Sequence, residues 1–243
     1  MSKIMKRSNE DNPGKETGNL IKRRSFFMYA GAGAAATALL LTGCNDKDDD
    51  PVMTDPMAVD LGTGDTGILN YAYALEQLEA AFYTEVIRTK FTGMPAAETQ
   101  ILTDLRDHEI AHREFLKTAL SSAAIPALEV DFSTVRFSDR ASVLGTAKVF
   151  EDLGVAAYNG AGKLFSNAGN GLVYLELAGK IVSVEARHAA AIRSLLTPGT
   201  NSFSGDDVVN PMGLDRALMP ADVLQAAAPF IKTKITFNNL PTS

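Results

Sequence analysis

The amino-acid sequence predicts an all-α fold: a four-helix bundle with one long crossover and a C-terminal helical extension. Three observations lead there. From about Gly67 to Leu196 apolar residues recur every third or fourth position, with no sustained alternation of period two. The breaks between the helical segments fall in the order short, long, short, which joins two helical hairpins by a connection able to run the length of a bundle. The two hairpins also carry the same polar residues at matched intervals, although their sequences otherwise differ.

In chain order, residues 1–43 come first. The stretch IKRRSFFMYAGAGAAATALLLTGC has a basic start, an apolar run from about Tyr29 to Leu41 and a small-residue step into Cys44. This is the pattern of a signal peptide, too short to span a bilayer as a stable helix. Arg23 and Arg24, followed by Ser25, Phe26 and Phe27, resemble the twin-arginine signal. Leu41-Thr42-Gly43-Cys44 resembles a bacterial lipobox, in which the cysteine is lipidated and becomes the first residue after cleavage. These resemblances imply export through the twin-arginine translocation machinery after folding in the cytoplasm. They also imply anchoring by lipid on Cys44 in the cell envelope, on either the periplasmic or the surface side. Residues 44–66, in which Cys44 is followed by NDKDDDPVMTDP, are too charged there to bury anything and read as an acidic flexible tether.

The bundle is expected over 67–197. Its first helix runs from about Gly67 to Lys90 and its second from about Ala96 to Ala123, parted by Gly93-Met94-Pro95. The crossover is IPALEVDFSTVRF. A third helix is expected over roughly Asp139 to Asn167, capped by Ser138 or Asp139, and a fourth over roughly Leu172 to Leu196, ended by Pro198-Gly199. Residues 198–243 form the extension, with helix from Pro220 to Ile231 where Pro220 suits the first turn. Val223, Leu224, Ala227, Phe230 and Ile231 would pack it on the bundle. Asp206 and Asp207 read as part of a solvated loop.

The polar repeat carries the chemistry. Glu76 precedes Tyr83 by seven residues, and Glu109 and His112 follow as Glu-x-x-His; Glu151 precedes Tyr158 by seven, and Glu185 and His188 follow as a second Glu-x-x-His. The intervals Glu76 to Glu109 and Glu151 to Glu185 are 33 and 34 residues, so both hairpins set the same groups at nearly one height. Helical spacing aligns Glu76 with Leu69, Ala72, Ala80 and Ile87, and Glu151 with Leu144, Ala147 and Val155. It likewise aligns Glu109 and His112 with Leu102, Leu105, Leu116 and Ala119, and Glu185 and His188 with Ile181, Val182, Ile192 and Leu195. All of these polar groups therefore face the core. Glu79 competes with Glu76, since it lies beside Leu75, Phe82 and Val86. Glu76 is preferred because it reproduces the repeat, whereas the position equivalent to Glu79 is Gly154. His108 has no counterpart either, its equivalent being Val184, and reads as a surface residue or one that touches a ligand from behind.

Four carboxylates buried together need compensation, because each ionised group in an apolar interior costs several kcal/mol. Two divalent cations balance four carboxylates, and two imidazoles complete a nitrogen and oxygen donor set suited to Fe or Mn. One Glu from each of two helices with Glu-x-x-His from each of the other two is the pattern of dinuclear carboxylate bundles. On these residues the chain resembles the ferritin-like superfamily over about 130 residues, and LEQLEAAFY is similar to the ferritin-like domain of desiccation-related proteins. The resemblance implies a ferritin-like bundle with Glu76, Glu109, His112, Glu151, Glu185 and His188 as metal ligands, Glu109 and Glu185 bridging. It also implies Tyr83 and Tyr158 as tyrosines that each bond a ligand of the opposite hairpin and are candidates for a redox role.

Composition narrows the function. The chain of 243 residues has a net charge of −6 and one cysteine. Residues 1–43 hold seven Lys/Arg and three Asp/Glu, so the rest carries 16 basic and 26 acidic side chains and no nucleic-acid footprint. A single cysteine excludes a thiolate zinc cluster and a rubredoxin-type electron relay. The expectation is an exported, lipid-anchored dimetal protein acting on metal ions, O2 or peroxide in metal handling or oxidative-stress defence. The alternative is a non-catalytic envelope protein of stress or desiccation tolerance. Turnover and association into a homo-oligomer stay open.

Overall fold

A computed structural model of the chain describes residues 58–243. Arg23, Arg24, Cys44 and the expected signal segment and first part of the tether lie outside the described residues. The order of elements is β1 (Val59–Asp60), α1 (Gly64–Thr89), α2 (Ala96–Leu120), α3 (Arg140–Ala161), α4 (Gly171–Leu196), α5 (Pro220–Ala227) and β2 (Ile235–Thr236). No helix among the described residues is long and apolar enough to cross a membrane.

The four long helices form the expected bundle. α1 packs chiefly on α2 and α3 on α4, and the hairpins meet through α1 against α3 and α2 against α4. Ile68, Tyr71, Ala74, Leu78, Phe82, Tyr83 and Val86 bury α1 on most of its circumference, because the crossover and the extension cover the side that the other three helices leave open. Asp139, not Ser138, caps α3, its carboxylate accepting from Ala141 N at 3.0 Å. The next residue, Arg140, grips Glu98 of α2 through two nitrogens and donates to Leu195 O of α4 at 2.8 Å, locking that end of the bundle.

The helices stop earlier than periodicity suggests. α3 gives way after Ala161 to a 3-10 turn, Gly162–Leu164, instead of continuing to Asn167, and buried Leu164 explains why the apolar pattern persists. α5 ends at Ala227 and a 3-10 turn covers Ala228–Phe230, since Pro229 has no N–H to donate to the preceding turn. Val223, Leu224 and Ala227 are buried, and Phe230 meets Phe150 of α3 edge to face at 4.8 Å.

Two corrections concern the ends of the domain. The last residues of the expected tether belong to the fold: β1 pairs in parallel with β2, Val59 opposite Ile235, and Leu61 is fully buried. The crossover is fastened by α1, where Asn70 donates to Leu61 O and Ala123 O and accepts from Ile125 N, while Gln77 accepts from Leu128 N at 2.8 Å. Asp207 is not merely solvated. Its carboxylate pairs with the buried Arg193 of α4, which also holds Asp152 of α3 through two nitrogens. The extension then crosses α3 closely, with Leu218 N donating to Ala156 O at 2.9 Å, and a Cβ at Gly160 would lie 1.7 Å from Leu218 O. Only glycine permits that approach.

Candidate metal centre

Each helix of the bundle delivers its part of the polar repeat to one place. Glu76 comes from α1, Glu109 and His112 from α2, Glu151 from α3, and Glu185 and His188 from α4. All four of these glutamates are fully buried, and His188 is 3 % exposed. The spacing of three within each Glu-x-x-His puts both side chains on the same helix face one turn apart. Imidazole and carboxylate of one hairpin thereby reach the carboxylates of the other.

His112 Nδ1 lies 2.9 Å from Glu185 Oε1, 3.4 Å from Glu109 Oε2 and 3.5 Å from Glu76 Oε2. His188 Nδ1 lies 2.7 Å from Glu109 Oε1, 3.5 Å from Glu151 Oε2 and 3.9 Å from Glu185 Oε2. Two groups of donors result, Glu76–Glu109–His112–Glu185 and Glu109–Glu151–Glu185–His188, each with its ligand atoms within 4.8 Å of one another. Glu109 and Glu185 belong to both. The expected bridging pair is thus the pair that geometry shares.

The outer oxygens are held by tyrosines in a reciprocal arrangement. Tyr83 of the first hairpin donates to Glu151 Oε1 of the second at 2.5 Å, and Tyr158 of the second donates to Glu76 Oε1 of the first at 2.6 Å. Each bond orients a carboxylate so that its other oxygen faces the cluster. Eight atoms remain there without a properly directed hydrogen bond: Glu76 Oε2, Glu151 Oε2, both oxygens of Glu109 and Glu185, and Nδ1 of His112 and His188. The close His–Glu approaches are ion-pair contacts in which the ring N–H is not aimed at the oxygen. So many orphaned buried donors converging on one space fit a cation pair, which would satisfy them together.

The electrostatics agree. Burial, with Glu185 and Glu109 nearby, holds the Glu76 carboxyl well above the usual carboxylate range, and burial raises Glu151 to about 8. Glu109 is also pushed up by burial, but the hydrogen-bonding reach of His112 and His188 outweighs this and brings it to about 2. Burial disfavours both imidazolium forms, yet the surrounding carboxylates raise His112 to about 12 and His188 to about 10.

Two further residues flank the centre. Glu79 is 4 % exposed and belongs to neither donor group. A Cβ on Gly154 would stand 3.1 Å from Glu79 Oε1 and 3.5 Å from Glu185 Oε2, so the missing side chain on α3 makes room for this fifth carboxyl. Burial and the four neighbouring glutamates keep it well above the usual range. His108 is exposed, yet its Nδ1 lies 2.9 Å from His188 Nε2 across the interface of α2 and α4. Its spacing of four from His112 indicates a shared face, but nothing in the sequence pairs it with the histidine of the opposite hairpin.

The family model of the ferritin-like domain matches residues 64–198, more than half of the chain and all four long helices. No curated protein matches it. The chain belongs to the family of the ferritin-like domain, and its buried Glu/His cluster is a candidate metal-binding site.

Proposed function

We propose that the protein is an exported, lipid-anchored ferritin-like protein whose cluster holds two Fe or Mn ions, and that it works in metal handling or oxidative-stress defence. The observation that carries this reading is the sharing of Glu109 and Glu185 by two four-residue donor groups. In this assignment Glu76 and His112 serve one ion, Glu151 and His188 the other, and Glu109 and Glu185 both. Glu76 takes precedence over Glu79 because only Glu76 falls within a donor group. Bound, the ions supply the redox change for oxidation of Fe(II) as substrate or for reduction of O2 or peroxide.

The chain's own residues prepare that chemistry. Tyr83 and Tyr158 fix the outer carboxylates of Glu151 and Glu76, while Glu109 and Glu185 meet only the imidazoles of His188 and His112 at close range. Glu79, whose carboxyl burial pushes well above the usual range, lies at the flank of the cluster where Gly154 leaves room for it. An apolar cavity of about 20 Å³ borders Tyr158, lined also by Leu69, Ala72, Leu75 and Ile181. It has room for one small molecule and little polarity to hold water, which favours O2 over an organic substrate.

Export and anchoring rest on Arg23–Arg24 and Cys44, and loading a metal before translocation suits a signal that carries folded proteins. Cys44→Ser would release the protein from membranes. Turnover is tested by Fe(II) oxidation and peroxide consumption with the purified protein. Loss of both in Glu109→Ala and Glu185→Ala supports an oxidoreductase. Metal-dependent melting without turnover would assign the cluster to stabilising a non-catalytic envelope protein, in keeping with the likeness of LEQLEAAFY to desiccation-related proteins.

A further inference from the structure

The ligand groups of the two halves match, and the halves differ in what flanks them: Glu79 on one side and His108 on the other. His188 Nδ1 faces Glu109 and Glu151, and its other nitrogen, Nε2, meets His108 Nδ1 at 2.9 Å. The ring planes lie within 8° of parallel with centroids 5.1 Å apart. Their separation cannot exceed the 2.9 Å nitrogen spacing, closer than stacked rings pack. The imidazoles therefore meet edge to edge, as an in-plane N–H···N bond requires. His112 makes no such bond among the described residues, and the position equivalent to His108 is Val184.

A histidine binds a metal through a nitrogen that has lost its proton, and the hydrogen bond made by the other nitrogen decides which one that is. We propose that His108 is a positioning residue for His188: its Nδ1 accepts the Nε2–H, commits His188 Nδ1 to the cation, and makes the Glu109–Glu151–Glu185–His188 position the tighter of the two. The inference rests on the dimetal assignment above. It adds an inequivalence that the near-symmetry of the ligands does not disclose. His108 acts from the solvent-facing side of the ligand, so it tunes the centre without entering it.

The test is an anaerobic Co(II) titration of the purified chain, followed by the cobalt absorption bands and by calorimetry. The wild type is expected to fill two positions in separable steps. His108→Ala should weaken the first step about 10–100-fold and leave the second unchanged. His108→Gln, whose side-chain carbonyl can accept the same N–H, should recover most of the loss, which a purely structural role would not do. In zinc-loaded protein the nitrogen-15 spectrum should show a His188 Nε2–H that exchanges slowly in wild type and in His108→Gln but not in His108→Ala. Equal weakening of both steps, no change in either, or failure of His108→Gln to rescue would overturn the inference while leaving two bound ions in place. A wild-type protein that takes up no cobalt would overturn the dimetal assignment, and this inference with it.

Discussion

Tyr158→Phe isolates one bond of the cluster. Glu76 is fully buried, its Oε1 accepts from Tyr158 at 2.6 Å, and its Oε2 has no directed hydrogen bond. Removing the hydroxyl and keeping the ring preserves the apolar contacts with the core and leaves the carboxyl with no hydrogen bond. An unsatisfied buried polar group costs about 1–3 kcal/mol, so a loss of about 2 kcal/mol is expected in the metal-free protein. For a domain of this size that lowers Tm by roughly 4–8 °C. The assay is thermal and urea unfolding of metal-free protein, followed by circular dichroism. Metal titration should then show about 10–100-fold weaker binding at the position that includes Glu76, with the position that includes Glu151 intact. A Tm within about 1 °C of wild type, or equal weakening of both positions, would refute the reasoning.

The metal-free protein should also lose stability as pH rises. Glu151, held at about 8 when folded, stabilises fully below its unfolded value and loses that contribution as pH climbs to 8. His112 and His188 act in the same direction, their contribution being complete below the unfolded histidine value and lost towards about 12 and about 10. Glu109, lowered to about 2, withdraws support only in strong acid. The urea midpoint should fall from pH 5 to pH 8, and a midpoint that rises over that range contradicts the account. Separately, Asn70→Ala leaves Leu61 O, Ala123 O and Ile125 N without their partner. A destabilisation of about 3 kcal/mol is expected from backbone groups that water reaches poorly, measurable by urea unfolding, and a loss under about 1 kcal/mol would show that the crossover is fastened elsewhere.

The parts of the molecule that were legible in the sequence are those built from local geometry. A helix repeats at fixed angles, so the spacing of Glu76, Tyr83, Glu109 and His112, met again in Glu151, Tyr158, Glu185 and His188, was enough to place these side chains on inward faces at one height. The four-helix bundle follows from the same periodicity, and the family model of the ferritin-like domain matches over it. What escaped depends on partners distant in the chain. Two residues of β1 give no period to detect and find β2 only because the extension returns past the start of α1. Asn70 and Gln77 look like polar residues on a helix until the crossover runs over them. Asp207 became an anchor through Arg193, and His108 through His188, in each case by a contact between segments whose relative placement no spacing records. Helix ends were missed where Gly162 and Pro229 change the winding without interrupting the apolar pattern.

The reciprocal tyrosines show how far the duplication extends into the structure. Each hairpin orients a carboxylate of the other, so neither hairpin completes the site by itself, and the packing of α1 on α3 is coupled to the geometry of the cluster. Glu79 and His108 break this symmetry at the two flanks, one beside Gly154 and the other behind His188.

The central claim is that the cluster holds two cations, and metal-to-protein stoichiometry tests it most directly. The protein is expressed in the cytoplasm, purified without chelator and analysed for its elements. The account predicts about two equivalents of Fe or Mn per chain, with loss of both ions in Glu109→Ala and Glu185→Ala but of one in Glu76→Ala. No bound metal, even after anaerobic reconstitution with Fe(II) or Mn(II), would contradict it and leave protons on the histidines and carboxyls as the permanent occupants of the site.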